Sequence, residues 1–260
     1  MMHLDLGHPP GIVGLTCGEL ARYTEFFACF DAIFVPPGSV KRYGVGYDTA
    51  SNSNSLIRDM RPRDEWVWIM DDDHAFANDL LLGLLSRQVD CVVPLYYQRK
   101  PPFWPVAYSL RNPDGSCQHL TPEEMTGKTG LLPVASAGKA GVLLRRPLLT
   151  KLAGGECTCP YDYTPEEESR HRQHRSECPW TTAAWFEHRG QIGEDHVFFD
   201  KALQAGFQPY VDLDRDLDHL TTFKIRVSRT PAGEYVPEVD LYNQVRISLR
   251  MVTRPGGSDG

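Results

Sequence analysis

The stretch from Trp66 to Phe76, WVWIMDDDHAF, decides the reading of this chain. Five bulky apolar residues run directly into three aspartates. The apolar run has the length of a buried strand and falls far short of the ~18 residues that a membrane-spanning helix needs. Asp71, Asp72 and Asp73 then stand where the strand leaves its sheet. In open α/β sheets that edge is where ligands bind. Packing does not call for three adjacent carboxylates, because they repel one another and desolvate poorly. A hard divalent cation carrying a phosphate ligand does call for them. The plain alternative is a polar turn, with Asp73 as N-cap of the next helix.

The rest of the chain sets bounds on that reading. Its 260 residues suffice for one large domain or two small ones. A hydrophobic content of 41% with 23% charged residues fits a globular protein with a real core. The net charge of −7 argues against a protein that coats nucleic acid non-specifically, and a local basic patch stays compatible with it. MMHLDLGHPPG has no basic segment followed by an apolar one, and no stretch is long and apolar enough to span a bilayer. The expected setting is the cytoplasm, with no membrane partner. Seven cysteines read as reduced thiols or metal ligands, not a disulfide framework.

The pattern predicts strands at 11–17, 32–35, 66–70, 90–97, 106–110 and 207–213, with two strand pieces within 131–144. Segment 106–110 is expected to pair with 90–97 as a hairpin. Helices are expected at 19–30, 55–60, 78–86, 147–152 and 194–205, and loops at 38–54 and 111–130. Strands alternate with helices in the first half, which gives an α/β class. Residues from 220 onward alternate like strands and end in a flexible PGGSDG tail.

Three constellations carry chemistry: the aspartates, Gly193-Glu194-Asp195-His196 opening a helix, and Asp218-His219 after a strand. A hydrophobic strand into D-x-D, then GEDxxFxxxAxxAGF, then a late His, resembles the GT-A fold glycosyltransferases, in particular family 2-like members. The likeness covers roughly residues 11–222. It implies a GT-A-like, Rossmann-like mixed and mostly parallel sheet flanked by helices, with a Cys/His-rich insertion at 154–180. Residues 223–260 would be C-terminal strands, or a lid over the site, and a tail.

The resemblance implies a nucleotide-sugar donor, most commonly a UDP-sugar, with Mn²⁺ or Mg²⁺ stabilising the diphosphate leaving group. It puts Asp73, Asp71 and His219 on the metal. Asp71, Asp72, Thr16, Gly138 and Gly141 fall to the donor. Asp195, beside Glu194, becomes the candidate base that takes the proton of the acceptor hydroxyl. The bland explanation for both acids is stabilisation of a helix start. Gly138 and Gly141 could equally mark a strand bulge. Trp180 and Trp185 suit either sugar stacking or core packing.

Cys157, Cys159, His171, His174 and Cys178 lie outside the family pattern. Four of them would satisfy a structural zinc, and the alternative is a solvated loop of reduced thiols. The basic run Arg170–Arg175 could face a phosphate-bearing acceptor. Phage-type members of the family glycosylate hydroxymethylated DNA, so the resemblance makes a 5-hydroxymethylated DNA base one candidate acceptor, beside glycans and small molecules. Two other classes compete. An aspartate-nucleophile phosphotransferase or phosphatase would normally have Thr or Val after D-x-D, where this chain has His74-Ala75. A nucleic-acid-binding module built on the Cys/His loop would leave the acidic constellation unexplained.

Overall fold

The computed structural model describes residues 7–17, 23–46, 48–99, 103–112, 116–157 and 178–221, together with the backbone of three C-terminal strands. The elements in chain order are β1 (Ile12–Cys17), α1 (Thr24–Ala32), β2 (Val40–Val45), α2 (Thr49–Arg58), β3 (Trp66–Asp71), β4 (His74–Ala75), α3 (Leu80–Ser86) and β5 (Cys91–Leu95). There follow β6 (Ala107–Arg111), β7 (Cys117–His119), α4 (Pro122–Met125), β8 (Leu131–Pro133), β9 (Ser136–Ala137), β10 (Val142–Arg145) and α5 (Arg146–Ala153). The remainder are α6 (Pro179–Thr182), α7 (Glu194–Gln204), β11 (Tyr210–Asp216), β12 (Asp218–His219), β13 (Lys224–Arg229), β14 (Tyr235–Leu241) and β15 (Val245–Ser248).

Seven strands form the central sheet in the order β2-β1-β3-β10-β5-β11-β8. Five run in one direction, and β10 and β8 run against them. The class is therefore α/β, with a mixed, mostly parallel sheet. Both faces are covered, and β3 shows why its sequence is a continuous apolar run. Val67 and Ile69 join one core with Leu56 and Ile57 of α2, Leu148 and Leu149 of α5 and Phe198 and Phe199 of α7. Trp66, Trp68 and Met70 join the opposite core with Phe26 and Phe30 of α1 and Leu80, Leu81, Leu84 and Leu85 of α3. A strand buried on both sides cannot alternate apolar with polar. The two indoles remain satisfied: Trp66 Nε1 donates to Pro9 O at 2.9 Å and Trp68 Nε1 to Gly141 O at 2.9 Å.

Several elements depart from the sequence expectation. The second strand is Val40–Val45, not 32–35, where helix α1 ends. VKRYGV sits at the sheet edge, and its mixed polarity hid it. Helix α2 begins at Thr49, inside the expected loop. Asp48 caps it by accepting from Ser51 N, and its polar residues are buried because they are bonded: Asn54 Nδ2 donates to Phe186 O at 2.8 Å and Asn54 Oδ1 accepts from Phe186 N at 3.0 Å. Segment 107–111 does not pair with β5; it forms a separate small sheet with β7 and β9, and only an arm around Tyr97 and Pro105 folds back. The loop expected at 111–130 contains β7 and α4, and strand 207–213 is shifted to Tyr210–Asp216. Asp73 is not a helix N-cap; Asp79 precedes α3.

Strands β13 to β15 pair with one another in an antiparallel sheet. Most of the Cys/His insertion, the basic run 170–175 and the PGGSDG tail lie outside the described residues.

Helix α3 is tied to β11 by a bidentate ion pair. Arg87 Nε donates to Asp212 Oδ2 at 2.7 Å and the guanidinium reaches Oδ1 at 2.8 Å, with Asp212 fully buried. Removing one partner of such a pair strands a buried charge. Arg87→Ala is expected to lower the free energy of unfolding by about 3 kcal/mol, and Arg87→Lys to lose part of that, in urea titrations.

Candidate active site

Parallel pairing sets Thr16 of β1 directly beside Asp71 of β3. Thr16 Oγ1 donates to Asp71 Oδ1 and to Met70 O. Lys139, in the turn between β9 and β10, completes this corner with Nζ 2.5 Å from Asp71 Oδ1. Its side chain is buried. Burial alone would discharge both groups, but their mutual attraction wins: the Asp71 carboxyl is held below its ordinary range and the Lys139 ammonium above its own.

After the turn at Asp72 and Asp73, the two-residue strand β4 pairs antiparallel with β12, so that His74 stands opposite His219. The two imidazoles stack at 4.3 Å. Asp73 faces both rings, with Oδ1 2.8 Å from His74 Nδ1 and Oδ2 3.4 Å from His219 Nε2, and Arg99 approaches Oδ2 at 3.0 Å. Burial works against ionisation of Asp73, yet hydrogen bonds from His219 and His74 push its carboxyl far below the usual range. The backbone carbonyl of Tyr97 fixes His219 Nδ1 at 2.9 Å.

One carboxylate oxygen and two imidazole nitrogens thus lie within 4.8 Å of one another. That is a mixed O/N donor set of the kind that binds divalent transition-metal ions. His74 Nε2 is buried and has no hydrogen-bond partner among the described residues, which an extra ligand-binding role would answer. The charge balance agrees. The cavity of about 510 Å³ at this sheet edge is lined by four carboxylates, Asp71, Asp73, Glu194 and Asp195, against two permanent cations, Lys139 and Arg99. The two uncompensated negative charges suit a divalent ion.

Gly193 opens α7 and places Glu194 and Asp195, which also line the cavity, in its first turn. Glu194 is engaged: Thr49 Oγ1 donates to Oε1 at 2.5 Å, and His188 Nδ1 lies 3.6 Å from Oε2. Asp195 accepts from His196 N through Oδ1 at 2.8 Å. Burial, the largest influence, raises the Asp195 carboxyl above its ordinary value despite His196 nearby. His196 itself turns away to Ser136, with Nδ1 2.7 Å from Oγ.

Of the residues singled out from sequence, Asp71, Asp73, Gly138, Glu194, Asp195 and His219 line this one cavity. Thr16 reaches it only through Asp71. Asp71 is turned toward Lys139 and is not among the three clustered donors. Gly138 has a packing reason: a Cβ there would lie 2.0 Å from Tyr96 Oη. Gly141 has φ +71 and abuts Pro94, which makes it a backbone requirement. Cys157 and Cys178 Sγ atoms lie 3.7 Å apart, beyond disulfide length; Cys159, His171 and His174 lie outside the described residues. Trp180 and Trp185 are core residues packed edge to face at 5.3 Å. Sequence reasoning missed Lys139, His74, Tyr96, Gln98 and Arg99. Lys139 lay inside the SAGKAG segment, where only the glycines drew notice.

No protein-family model and no curated protein matches the sequence. Three solved structures are similar to it at low identity. A197 from STIV is 13% identical, over 96% of this chain and 100% of that one, with a TM-score of 0.44. GalNAc-T7, solved with UDP, GalNAc and Mn²⁺, is 11% identical over 82% of this chain and 44% of its own, with a TM-score of 0.48. A 4-diphosphocytidyl-2C-methyl-D-erythritol synthase from Anaerococcus prevotii is 12% identical over 75% of this chain and 96% of that one, with a TM-score of 0.34. Among the described residues, no helix is long and apolar enough to cross a membrane.

The raised Asp195 carboxyl carries a sign for stability. The folded state retains a proton that the unfolded chain releases near the ordinary carboxyl pKa, so ionising Asp195 costs stability as pH rises above that value. Asp195→Asn removes the cost. Its thermal midpoint is expected to exceed that of the parent at pH 7, with the gain shrinking toward pH 3.

Proposed function

We propose that the chain is a metal-dependent glycosyltransferase that moves a sugar from a nucleotide-sugar donor, a UDP-sugar in the first instance, to an acceptor hydroxyl. The observation that carries this reading is one cavity at the sheet edge lined by the Asp73, His74 and His219 donors together with Asp195. The resemblance of the D-x-D, GED and late-His segments supports it.

Asp73 and His219 would hold Mn²⁺ or Mg²⁺, with His74 in the remaining protein position. The ion, when bound, would supply Lewis-acid stabilisation of the diphosphate that leaves. Asp71, oriented by Thr16 and Lys139, would accept hydroxyls of the donor, and Asp72 would assist at the turn. Gly138 would let Tyr96 and Val106 pack close behind the wall beside the sugar. Asp195 would take the acceptor proton as the acceptor oxygen bonds to the anomeric carbon and the bond to the leaving phosphate oxygen breaks. A carboxyl lifted by burial is a stronger base than an ordinary one, which suits that task. Glu194, fixed by Thr49, would hold α7 against α2.

Near the neck of the insertion, the 3.7 Å sulfur separation matches two thiolates on one tetrahedral zinc, for which Zn–S bonds of about 2.3 Å imply roughly 3.8 Å. We propose a structural zinc there, held by Cys157, Cys159 and Cys178 with His174 or His171 as the fourth ligand. Stoichiometric zinc in the purified protein, lost in Cys178→Ser, is the expected result; metal-free protein would remove the site.

The deciding experiment is a screen of labelled UDP- and GDP-sugars with Mn²⁺, using glycans, plain DNA and 5-hydroxymethylated DNA as acceptors. A phosphatase would instead hydrolyse p-nitrophenyl phosphate without any acceptor. Asp73→Ala is expected to weaken Mn²⁺-dependent UDP binding at least tenfold in calorimetry. Asp195→Asn is expected to cut transfer by about 10²-fold or more while leaving UDP affinity unchanged. Equal turnover would remove Asp195 as the base.

A further inference from the structure

The chain between β5 and β6 doubles back as a short arm. Val106 N donates to Tyr96 O at 2.9 Å, Tyr97 bridges Pro105, and Gln98 N donates to Trp104 O at 2.9 Å. Side chains alternate across such a pair, so Tyr96, Val106, Gln98 and Trp104 share one face. Tyr96, Val106 and Gln98 line the cavity. Trp104 therefore continues the same wall outward, at the rim. Its indole is 37% exposed, and its inner side stacks on His119 at 6.0 Å and 17°. His119 is itself held, with Nδ1 2.8 Å from Pro105 O and its ring 4.5 Å from that of Tyr108. Next to Trp104, Phe103 is 40% exposed with φ +58, a left-handed conformation that a bulky residue adopts only when the surroundings impose it.

A large ring backed on one side and open on the other, at the mouth of a polar cavity, is a binding surface more than a packing unit. Its electrostatics select the ligand. The cavity's four carboxylates accept hydrogen bonds from hydroxyls. Once the ion holds the donor diphosphate, the lining cations Lys139 and Arg99, already paired with Asp71 and Asp73, leave no charge over for the backbone phosphates of a polyanionic acceptor. Among the described residues of the arm, the cation is Arg99, and it is engaged with Asp73. The apolar C–H face of a sugar ring, slightly positive, complements the negative π face of an indole. We infer that Trp104, backed by His119 and flanked by Gln98, is an outer acceptor subsite that stacks a ring of a neutral oligosaccharide whose terminal hydroxyl points toward Asp195. This rests on the glycosyltransferase reading and selects a glycan over DNA as acceptor.

The test uses the full chain in Mn²⁺, with cellohexaose, maltohexaose, chitohexaose and a hydroxymethylcytosine-containing single-stranded 12-mer as calorimetric probes, and UDP titrated separately. At least one oligosaccharide is expected to bind. Trp104→Ala should weaken it tenfold or more, Trp104→Phe should stay within about threefold, and both should bind UDP like the parent. Phe103→Gly keeps the left-handed backbone without strain, so it reports whether the second ring contributes without disturbing the arm. Binding of the 12-mer alone, binding of none of the probes, or oligosaccharide affinity unchanged in Trp104→Ala would overturn the subsite. Oligosaccharide binding that depends on Trp104, together with no UDP binding by the parent, would instead sink the donor reading and keep the subsite.

Discussion

Strand β3 is buried on both faces and paired on both edges, so no charge can sit along it until it leaves the sheet. Everything polar in the WVWIMDDDHAF segment is thereby concentrated at one edge. Three consecutive carboxylates at such a point need compensation, and the fold supplies it separately for two of them. Asp71 meets Thr16 across the parallel pair and Lys139 from the turn before β10. Asp73 meets two imidazoles and Arg99. Each compensation recruits a distant part of the chain, and of those parts Lys139, Arg99 and the two histidines line one cavity.

The pairing of β4 with β12 shows how little backbone this takes. Two residues on each side suffice to bring His219 opposite His74, and Leu220 N donates to Asp73 O at 2.8 Å to close the turn. Neither strand buries much apolar surface. The register is held instead by the polar groups, with the Tyr97 carbonyl on one ring and Asp73 on both. A site whose geometry depends on hydrogen bonds in this way is specific in direction, because each group lost leaves another buried and unsatisfied.

What the sequence made legible follows from the same physics. The β3 run could be read because a strand buried on two faces is apolar throughout, and the GED helix because acidic residues favour a helix start. Strand β2 and helix α2 could not be. VKRYGV lies at an edge with one side solvated, and TASNSNSLIR owes its burial to hydrogen bonds, such as Asn54 with Phe186, between residues 132 positions apart. Lys139 was hidden for a related reason: a lysine in a glycine turn is ordinarily a surface residue, and only the fold shows a carboxylate waiting for it. Trp180 and Trp185 looked equally suited to a ligand or a core; their indole N–H groups bond to Gly155 O and Leu149 O within the protein, which leaves them no role at the cavity.

Within the cavity, environment separates chemically identical side chains. Asp73 and Asp195 are both aspartates in buried surroundings, yet their carboxyls move in opposite directions. Asp73 has two hydrogen-bonding imidazoles and so stays ionised. Asp195 has one backbone N–H and an acidic neighbour in Glu194, so its burial is only partly offset and it holds a proton more readily. Opposed shifts in one cavity divide labour between the groups: the carboxylate with the lower pKa can carry charge and the one with the higher pKa can move a proton. Lys139, facing Asp71, Glu194 and Asp195 together, keeps the two regions from merging into a single acidic cluster, since its charge bears on the corner between them. The division would hold for any reaction run there that needs a bound cation and a proton acceptor side by side.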